Sequence, residues 1–521
     1  MKKLTNLILG ALILSAFVFF YSFVSTKSPL AEVRTEAGLV SGLANSTGDV
    51  TAYKGIPFAA PPVGDLRWKA PEPVKHWDGV RKCDAFGPSP MQEKPTPFMV
   101  YTSEFLIPET PISEDCLYLN VWTNAKTQAD KKPVFVWIYG GGFGSGGSAC
   151  PIYDGEAMAK KGVIYVSINY RVGVFGFLAH PELTKESGGK ASGNYALLDQ
   201  IEALKWVKKN IAAFGGDPDN VTIGGQSAGS MSVNCLVASP QAKGLFNGAI
   251  AESGSFLIKN PLLPATTLQS AEEQGVKLAG KAGTKSLAEM RAMPADEVMK
   301  KFNGRFTPIV DGYILPKAIP DIFAEGKQNH VPLITGWNYD EFGAPAKSKE
   351  DFKKQAQQQY GADAEIFLKY FPAETDEQAK DSQDRLGRDM VFALSGYKWA
   401  NIQSEAPNSP VYVYNFDRKV PATGNMVKYG AFHTAEVPYM MDNLKFLNNR
   451  PFEPADNALA KLMADYWVNF ISTGNPNGNG LPEWPKYNTS QYQVKVFDAK
   501  SETKALPEKD GLDFLLSKAG K

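Results

Sequence analysis

The chain has 521 residues, of which 43% are hydrophobic and 12% aromatic. That is enough apolar material for a large core, so disorder, collagen and small disulfide-stapled scaffolds are excluded. Lys and Arg number 55 against 55 Asp and Glu, a net charge of zero, which argues against a general nucleic-acid binder, whose basic face must displace counterions. The 4 cysteines are too few for a disulfide-dense fold or a zinc cluster.

At the amino end, Lys2 and Lys3 precede an uncharged apolar run from Leu7 to Val24. A charged start followed by such a run is the pattern of an export signal. Residues 1–30 are therefore read as a signal peptide or a signal anchor, and the protein as exported: periplasmic, secreted, or anchored in a membrane facing outward. The run reaches the lower limit for a membrane span, and no good small-residue cleavage site follows it. Cleaved and anchored forms both stand open.

The rest, residues 31–521, reads as one catalytic domain. Short apolar runs of the buried-strand type occur at Val134–Ile138, Val163–Ile168, Val221–Gly225, Gly248–Ala251, Pro332–Gly336 and Val411–Phe416. Between the second and third, Leu197, Ile201, Leu204 and Ile211 share one helical face. Strand–helix alternation predicts an α/β architecture with a mostly parallel sheet covered on both faces. Residues from about Thr266 to Lys398 are richer in Lys, Glu, Gln and Ala and read mostly as helices, a cap or inserted subdomain. No repeat and no linker divides the chain.

The sharpest motif is Gly225-Gln226-Ser227-Ala228-Gly229, which follows the apolar run Val221–Gly225 and precedes helix-compatible sequence. This is a G-x-S-x-G elbow in its strand–turn–helix context. The turn is tight, so small residues flank the serine, and it raises the Ser227 Oγ above the sheet. The helix that follows brings free N–H groups toward a developing negative charge. Tyr139-Gly140-Gly141-Gly142-Phe143 follows the run Val134–Ile138. Its glycines let the backbone approach a substrate and, with the Ala228 N–H, suit an oxyanion hole. A phosphate loop is disfavoured, because no Lys-Ser or Lys-Thr follows the glycines.

A serine nucleophile needs a base, and the base an orienting acid. On such an elbow the partners follow in the order serine, acid, histidine. The chain has four histidines, His76, His180, His330 and His433. Order removes the first two. His330 immediately precedes a strand, at the wrong end of the sheet, which leaves His433. For the acid, Asp340 and Glu341 both follow the strand Pro332–Gly336, and the residues alone do not choose between them.

These motifs together resemble the type-B carboxylesterases, the family of cholinesterases, liver carboxylesterases and bacterial para-nitrobenzyl esterases. The resemblance runs from about Val33 to Tyr487. It is carried most specifically by Ser113–Trp122 (SEDCLYLNVW) and Phe214–Gly229 (FGGDPDNVTIGGQSAG), with Tyr53–Trp68, Asn169-Tyr170-Arg171 and Thr473-Gly474-Asn475-Pro476 in support. It implies an α/β-hydrolase fold and hydrolysis of a small-molecule carboxylic ester without cofactor or metal. It makes Ser227 the nucleophile, His433 the base and Glu341 the acid. Gly141, Gly142 and Ala228 become oxyanion donors, and Ser253 a support for the His–acid pair. It also suggests a disulfide between Cys83 and Cys116, although the family's upstream cysteine falls nearer Pro90. No Trp lies between Met91 and Cys116, so the cation–π site for a quaternary ammonium is missing and a cholinesterase is disfavoured. The alternatives are a lipase for longer acyl chains and a non-catalytic binding protein on the same fold.

Overall fold

The computed structural model describes residues 30–189, 192–258, 266–341 and 348–519. The predicted export segment, residues 1–30, lies outside them save for its last residue. Among the described residues, no helix is long and apolar enough to cross a membrane.

The centre is an 11-stranded sheet. Its strands in chain order are β1 (Leu43–Ala44), β2 (Thr51–Pro57), β3 (Tyr118–Thr123), β4 (Lys132–Ile138), β5 (Ile164–Ile168), β6 (Gly216–Gln226), β7 (Gly248–Glu252), β8 (Leu333–Asn338), β9 (Val411–Phe416), β10 (Gln493–Phe497) and β11 (Glu502–Ala505). Across the sheet they lie in the order β11-β10-β9-β8-β7-β6-β4-β5-β3-β2-β1. From β10 to β5 every neighbouring pair is parallel. The outer pairs β5–β3, β3–β2, β2–β1 and β10–β11 are antiparallel. All six predicted strands are present. The central ones read as unbroken apolar runs because both faces are covered: every residue of β5, β7, β8 and β9 is buried.

The chain runs from β4 out to β5, then back past β4 to β6, and on through β7 to β10. Strand order thus reverses between β4 and β6. In an open α/β sheet the crevice beyond the carboxyl ends of the strands at such a reversal is where ligands bind. Ser227 follows β6 directly, and the glycine run follows β4.

Helices cover the sheet. α1 (Tyr195–Asn210) buries Leu197, Ile201 and Leu204, while Ile211 falls in the 3₁₀ turn Ile211–Phe214 that ends it. α2 (Ala228–Ala238) begins at the residue after Ser227 and packs on β6 and β7. α3 (Asp376–Arg388) and α4 (Leu394–Ser404) form one helical run joined by a π-turn, Asp389–Ala393. α5 (Pro454–Thr473) packs against β4 and β6. The range expected as a helical cap is mainly helical, but β8 passes through it into the middle of the main sheet.

The disulfide suggested between Cys83 and Cys116 is not formed. All four cysteines are buried free thiols. Cys83 lies near Tyr53, whereas Cys116 lies near the Arg171–Asp199 ion pair. The two thiols occupy different surroundings, as the offset of Cys83 from the family position foreshadows. Burial pushes the Cys83 thiol up to about 11 and the Cys116 thiol well above its ordinary value, so neither is a ready thiolate.

Candidate active site

Ser227 sits at φ 58° and ψ −124°, a conformation a non-glycine residue holds only when its surroundings enforce it. Two hydrogen bonds do so. Its N–H donates to the Glu252 carbonyl at the end of β7 (2.9 Å), and its carbonyl accepts from the Met231 N–H in the first turn of α2 (2.9 Å). From Val221 to Ser230, Ser227 is the one residue not fully buried. The flanking glycines are required by the end of β4. A Cβ on Gly229 would lie 2.1 Å from the Ile138 carbonyl oxygen, and one on Gly225 2.6 Å from the same atom.

The glycine run turns over this elbow. Gly141, Gly142 and Phe143 all have positive φ, and a Cβ on Gly141 would overlap the Ser145 carbonyl at 2.2 Å. The start of the loop is pinned by Tyr139 and Tyr170, whose rings stack at 4.2 Å. Each hydroxyl donates to the other residue's carbonyl, at 2.7 and 2.8 Å. The Gly144 and Ser145 N–H groups close the loop onto the Gly141 carbonyl. No acceptor among the described residues takes the N–H of Gly141, Gly142 or Ala228. Three backbone donors at the ends of β4 and β6 are thus left for a ligand.

His433 and Ser227 line the same cavity, of about 550 Å³. The His433 Nδ1 meets Glu341 Oε2 at 2.5 Å. Glu341 Oε1 accepts the Ser253 hydroxyl (2.6 Å) and the Asn338 N–H (2.9 Å). The carboxylate is thus held on both oxygens, with its charge against the imidazole. Asp340, the other candidate, turns away: its Oδ2 accepts the Ala431 N–H at 2.8 Å. The other histidines are elsewhere. His180 caps a short helix through the Glu182 N–H, while His76 and His330 are exposed.

Behind Glu341 lie two further carboxyls, Glu252 at the end of β7 and Glu436 in the turn after His433, both fully buried. Trp467 of α5 donates to Glu252 Oε1 (2.9 Å), and the Asn338 amide to Glu436 Oε2 (2.5 Å). Burial raises both carboxyls far above the ordinary range, and the negative charges of Glu252 and Glu341 push Glu436 up further. A serine hydroxyl, an imidazole paired to a carboxylate, and unspent N–H groups around one apolar cavity are the parts acyl transfer requires.

Residues 29–515 match the profile of the Carboxylesterase family. The chain belongs to that family. The fumonisin B1 esterase of Sphingopyxis macrogoltabida is 35% identical over 489 residues, 89% of this chain and 85% of that protein. The para-nitrobenzyl esterase of Bacillus subtilis is 34% identical over 512 residues, covering 94% and 99%. A solved PNB esterase structure superposes with a TM-score of 0.78 at 32% identity, over 92% of this chain and 98% of the other. The fold is therefore the α/β-hydrolase fold, and the activity is carboxylic ester hydrolysis.

The carboxylesterase brings Ser227, Ala228, Gly141, Gly142, His433, Glu341 and Ser253 into one site, and leaves Cys83 and Cys116 apart. Several residues at the site were not singled out in the sequence. Asn338 links Glu341, Glu436 and the Phe432 carbonyl. The Tyr101 hydroxyl donates to the His433 carbonyl at 2.8 Å. Gln226 and Phe392 both lie against the His433 ring. Of these only Gln226 carried a signal, as the second residue of the elbow motif. Phe392 had none, lying within a polar helical stretch.

Proposed function

We propose that this carboxylesterase cleaves small to medium carboxylic esters through an acyl-enzyme on Ser227. The Ser227 Oγ attacks the ester carbonyl while His433 Nε2 takes its proton. Glu341 holds the ring through Nδ1 and stabilises the imidazolium that forms. The N–H groups of Gly141, Gly142 and Ala228 receive the oxyanion. His433 then delivers the proton to the departing alcohol, and water repeats the sequence at the acyl carbonyl to release the acid. The observation that carries this reading is the Glu341–His433 pair at the edge of the cavity that Ser227 lines.

The size preference rests on the cavity. Its volume of about 550 Å³ falls within the ~300–1,000 Å³ usual for small-molecule sites, and Tyr101, Phe105, Ile107 and Phe392 supply apolar walls. The test is initial rates on para-nitrophenyl acetate, butyrate, octanoate and palmitate, with Ser227→Ala alongside. Short esters should be fastest, and the variant inactive on all. Palmitate as the best substrate would replace the reading with a lipase; activity undiminished in Ser227→Ala would remove the nucleophile.

Export, by a cleaved signal or a retained anchor, is proposed from Lys2, Lys3 and the apolar run Leu7–Val24. Fractionating expressing cells and sequencing the amino terminus tests it. Recovery of the whole chain, starting at Met1, in the soluble cytoplasmic fraction would refute export.

A further inference from the structure

The His433 ring is gripped on both faces. Gln226 Nε2 lies 3.2 Å from His433 Nε2 and 3.4 Å from Nδ1. An amide bonded in the ring plane to one nitrogen would stand well away from the other, and a point in that plane this close to both would overlap Cε1. The near-equal distances therefore put the carboxamide over the face of the imidazole. The Phe392 ring stacks on His433 at 4.5 Å between centroids and 24° between planes. Phenyl and amide cannot share one face at these distances, so they take opposite ones.

Each jaw is itself fastened. Gln226 Oε1 accepts the Thr434 hydroxyl at 3.2 Å, and the Gln226 backbone is the last residue of β6. Phe392 lies in the π-turn between α3 and α4. Inserted π-turns recur at functional positions because they re-aim side chains of an otherwise regular helix. The first residue of this π-turn, Asp389, pairs with Arg388 at 2.7 Å, and Arg388 reaches Glu508 at 3.5 Å.

We propose that Gln226 and Phe392 are positioning residues that clamp the two faces of the His433 imidazole, and that the neutrality of the Gln226 amide sets the pH range in which His433 works as a base. The proposal rests on the assignment of His433 as the base. Glu341 holds the Nδ1 edge, so the clamp turns the Nε2 edge toward the cavity that Ser227 lines. Of the other charged or titratable groups, Glu93, Lys94, Arg305, Cys150 and Tyr153 line the cavity that Ser227 and His433 share. Glu436 and Glu252 lie behind Glu341, and the Tyr101 hydroxyl is spent on the His433 carbonyl. Asp340, Lys380, Asp381, Asp384, Arg385, Arg388, Lys419 and Lys428, with Tyr339 and Tyr429, face a second cavity that His433 also borders. A carboxylate at position 226 would lay a charge directly on the ring face.

The deciding variant is Gln226→Glu. An opposite charge within hydrogen-bonding range favours imidazolium, so the acid limb of kcat/KM should move up by about one pH unit or more. In parallel, the His433 imidazole proton resonance, read by NMR without substrate, should titrate at higher pH by the same amount. Phe392→Ala should lower kcat about tenfold, beyond any rise in KM from the lost cavity wall, and Phe392→Tyr, which restores the stacked ring, should recover most of the kcat. An acid limb and titration in folded Gln226→Glu that coincide with wild type would overturn the proposal. So would a Phe392→Ala kcat equal to wild type, or a loss that Phe392→Tyr fails to recover. If Gln226→Glu does not fold, the Phe392 pair decides. The NMR titration needs no turnover, and loss of the base assignment itself would appear separately, as a His433→Ala variant with full activity.

Discussion

Ser253→Ala removes one hydroxyl from the support of Glu341 and leaves the rest of the site in place. Ser253 is fully buried and Glu341 only 7% exposed, so bulk water does not freely replace the lost donor. The bond is short, 2.6 Å, and its acceptor is a carboxylate. Hydrogen bonds to charged groups contribute about 1.5–3 kcal/mol, and stability should fall by that order. Catalysis should lose less, because the Asn338 N–H still holds the same oxygen at 2.9 Å. Half of that range, about 0.8–1.5 kcal/mol, corresponds to a drop in kcat of roughly fourfold to tenfold. The loss belongs in kcat, since the Glu341 charge matters most when the imidazolium forms. Urea unfolding gives the stability change, and steady-state rates on para-nitrophenyl butyrate give kcat and KM. A folded Ser253→Ala enzyme with wild-type kcat, or one whose defect lies wholly in KM, would refute the argument that this hydroxyl supports the acid.

Glu252→Gln tests the buried carboxyls. Burial pushes Glu252 from 4.5 up to about 8, so between those values the folded chain holds a proton that the unfolded chain has lost. Stability is then fully present below about pH 4.5 and drains away as pH rises toward 8. The amide variant should lose less stability between pH 5 and 8, as measured by urea midpoints; equal losses in both proteins would count against a protonated Glu252. Gly229→Ala should cost at least about 1–3 kcal/mol, because its methyl would meet the Ile138 carbonyl at 2.1 Å; a melting curve superimposable on wild type would contradict that contact. Reductant should leave thermal stability and activity unchanged, because no cysteine is paired; a lower melting temperature in reductant would reveal a disulfide.

The parallel strands were legible because burial on both faces leaves a plain signature, an apolar run such as Val134–Ile138. The edge strands were not. Leu43–Ala44 and Glu502–Ala505 are short and exposed or nearly so, and what holds them is pairing with a neighbour rather than their own composition. Within the site, Ser227 and His433 followed from motif and chain order. The choice of Glu341 over Asp340 did not follow from the residues themselves. It depends on a contact across 92 positions, and adjacent carboxylates differ only in which way the backbone turns them. The grip of Gln226 and Phe392 on the ring was hidden for the same reason. Gln226 is 207 positions from His433, and Phe392 reaches it only through a π-turn that no apolar periodicity announces.

The four unpaired thiols give the molecule a built-in set of clocks. Each is buried in a different district: Cys83 under the amino-terminal edge, Cys116 before β3, Cys150 beyond the glycine loop and Cys235 inside α2. Cys150 borders the cavity that Ser227 lines, whereas Cys83, Cys116 and Cys235 answer to a reagent only when their own district opens. The order in which they are trapped in dilute denaturant therefore records how the structure comes apart. Simultaneous trapping marks a single cooperative collapse, and an early Cys83 marks an edge that loosens while the sheet beneath Ser227 still stands. Because no sulfur must be oxidised for the chain to close, that record reads the same in reducing and oxidising surroundings.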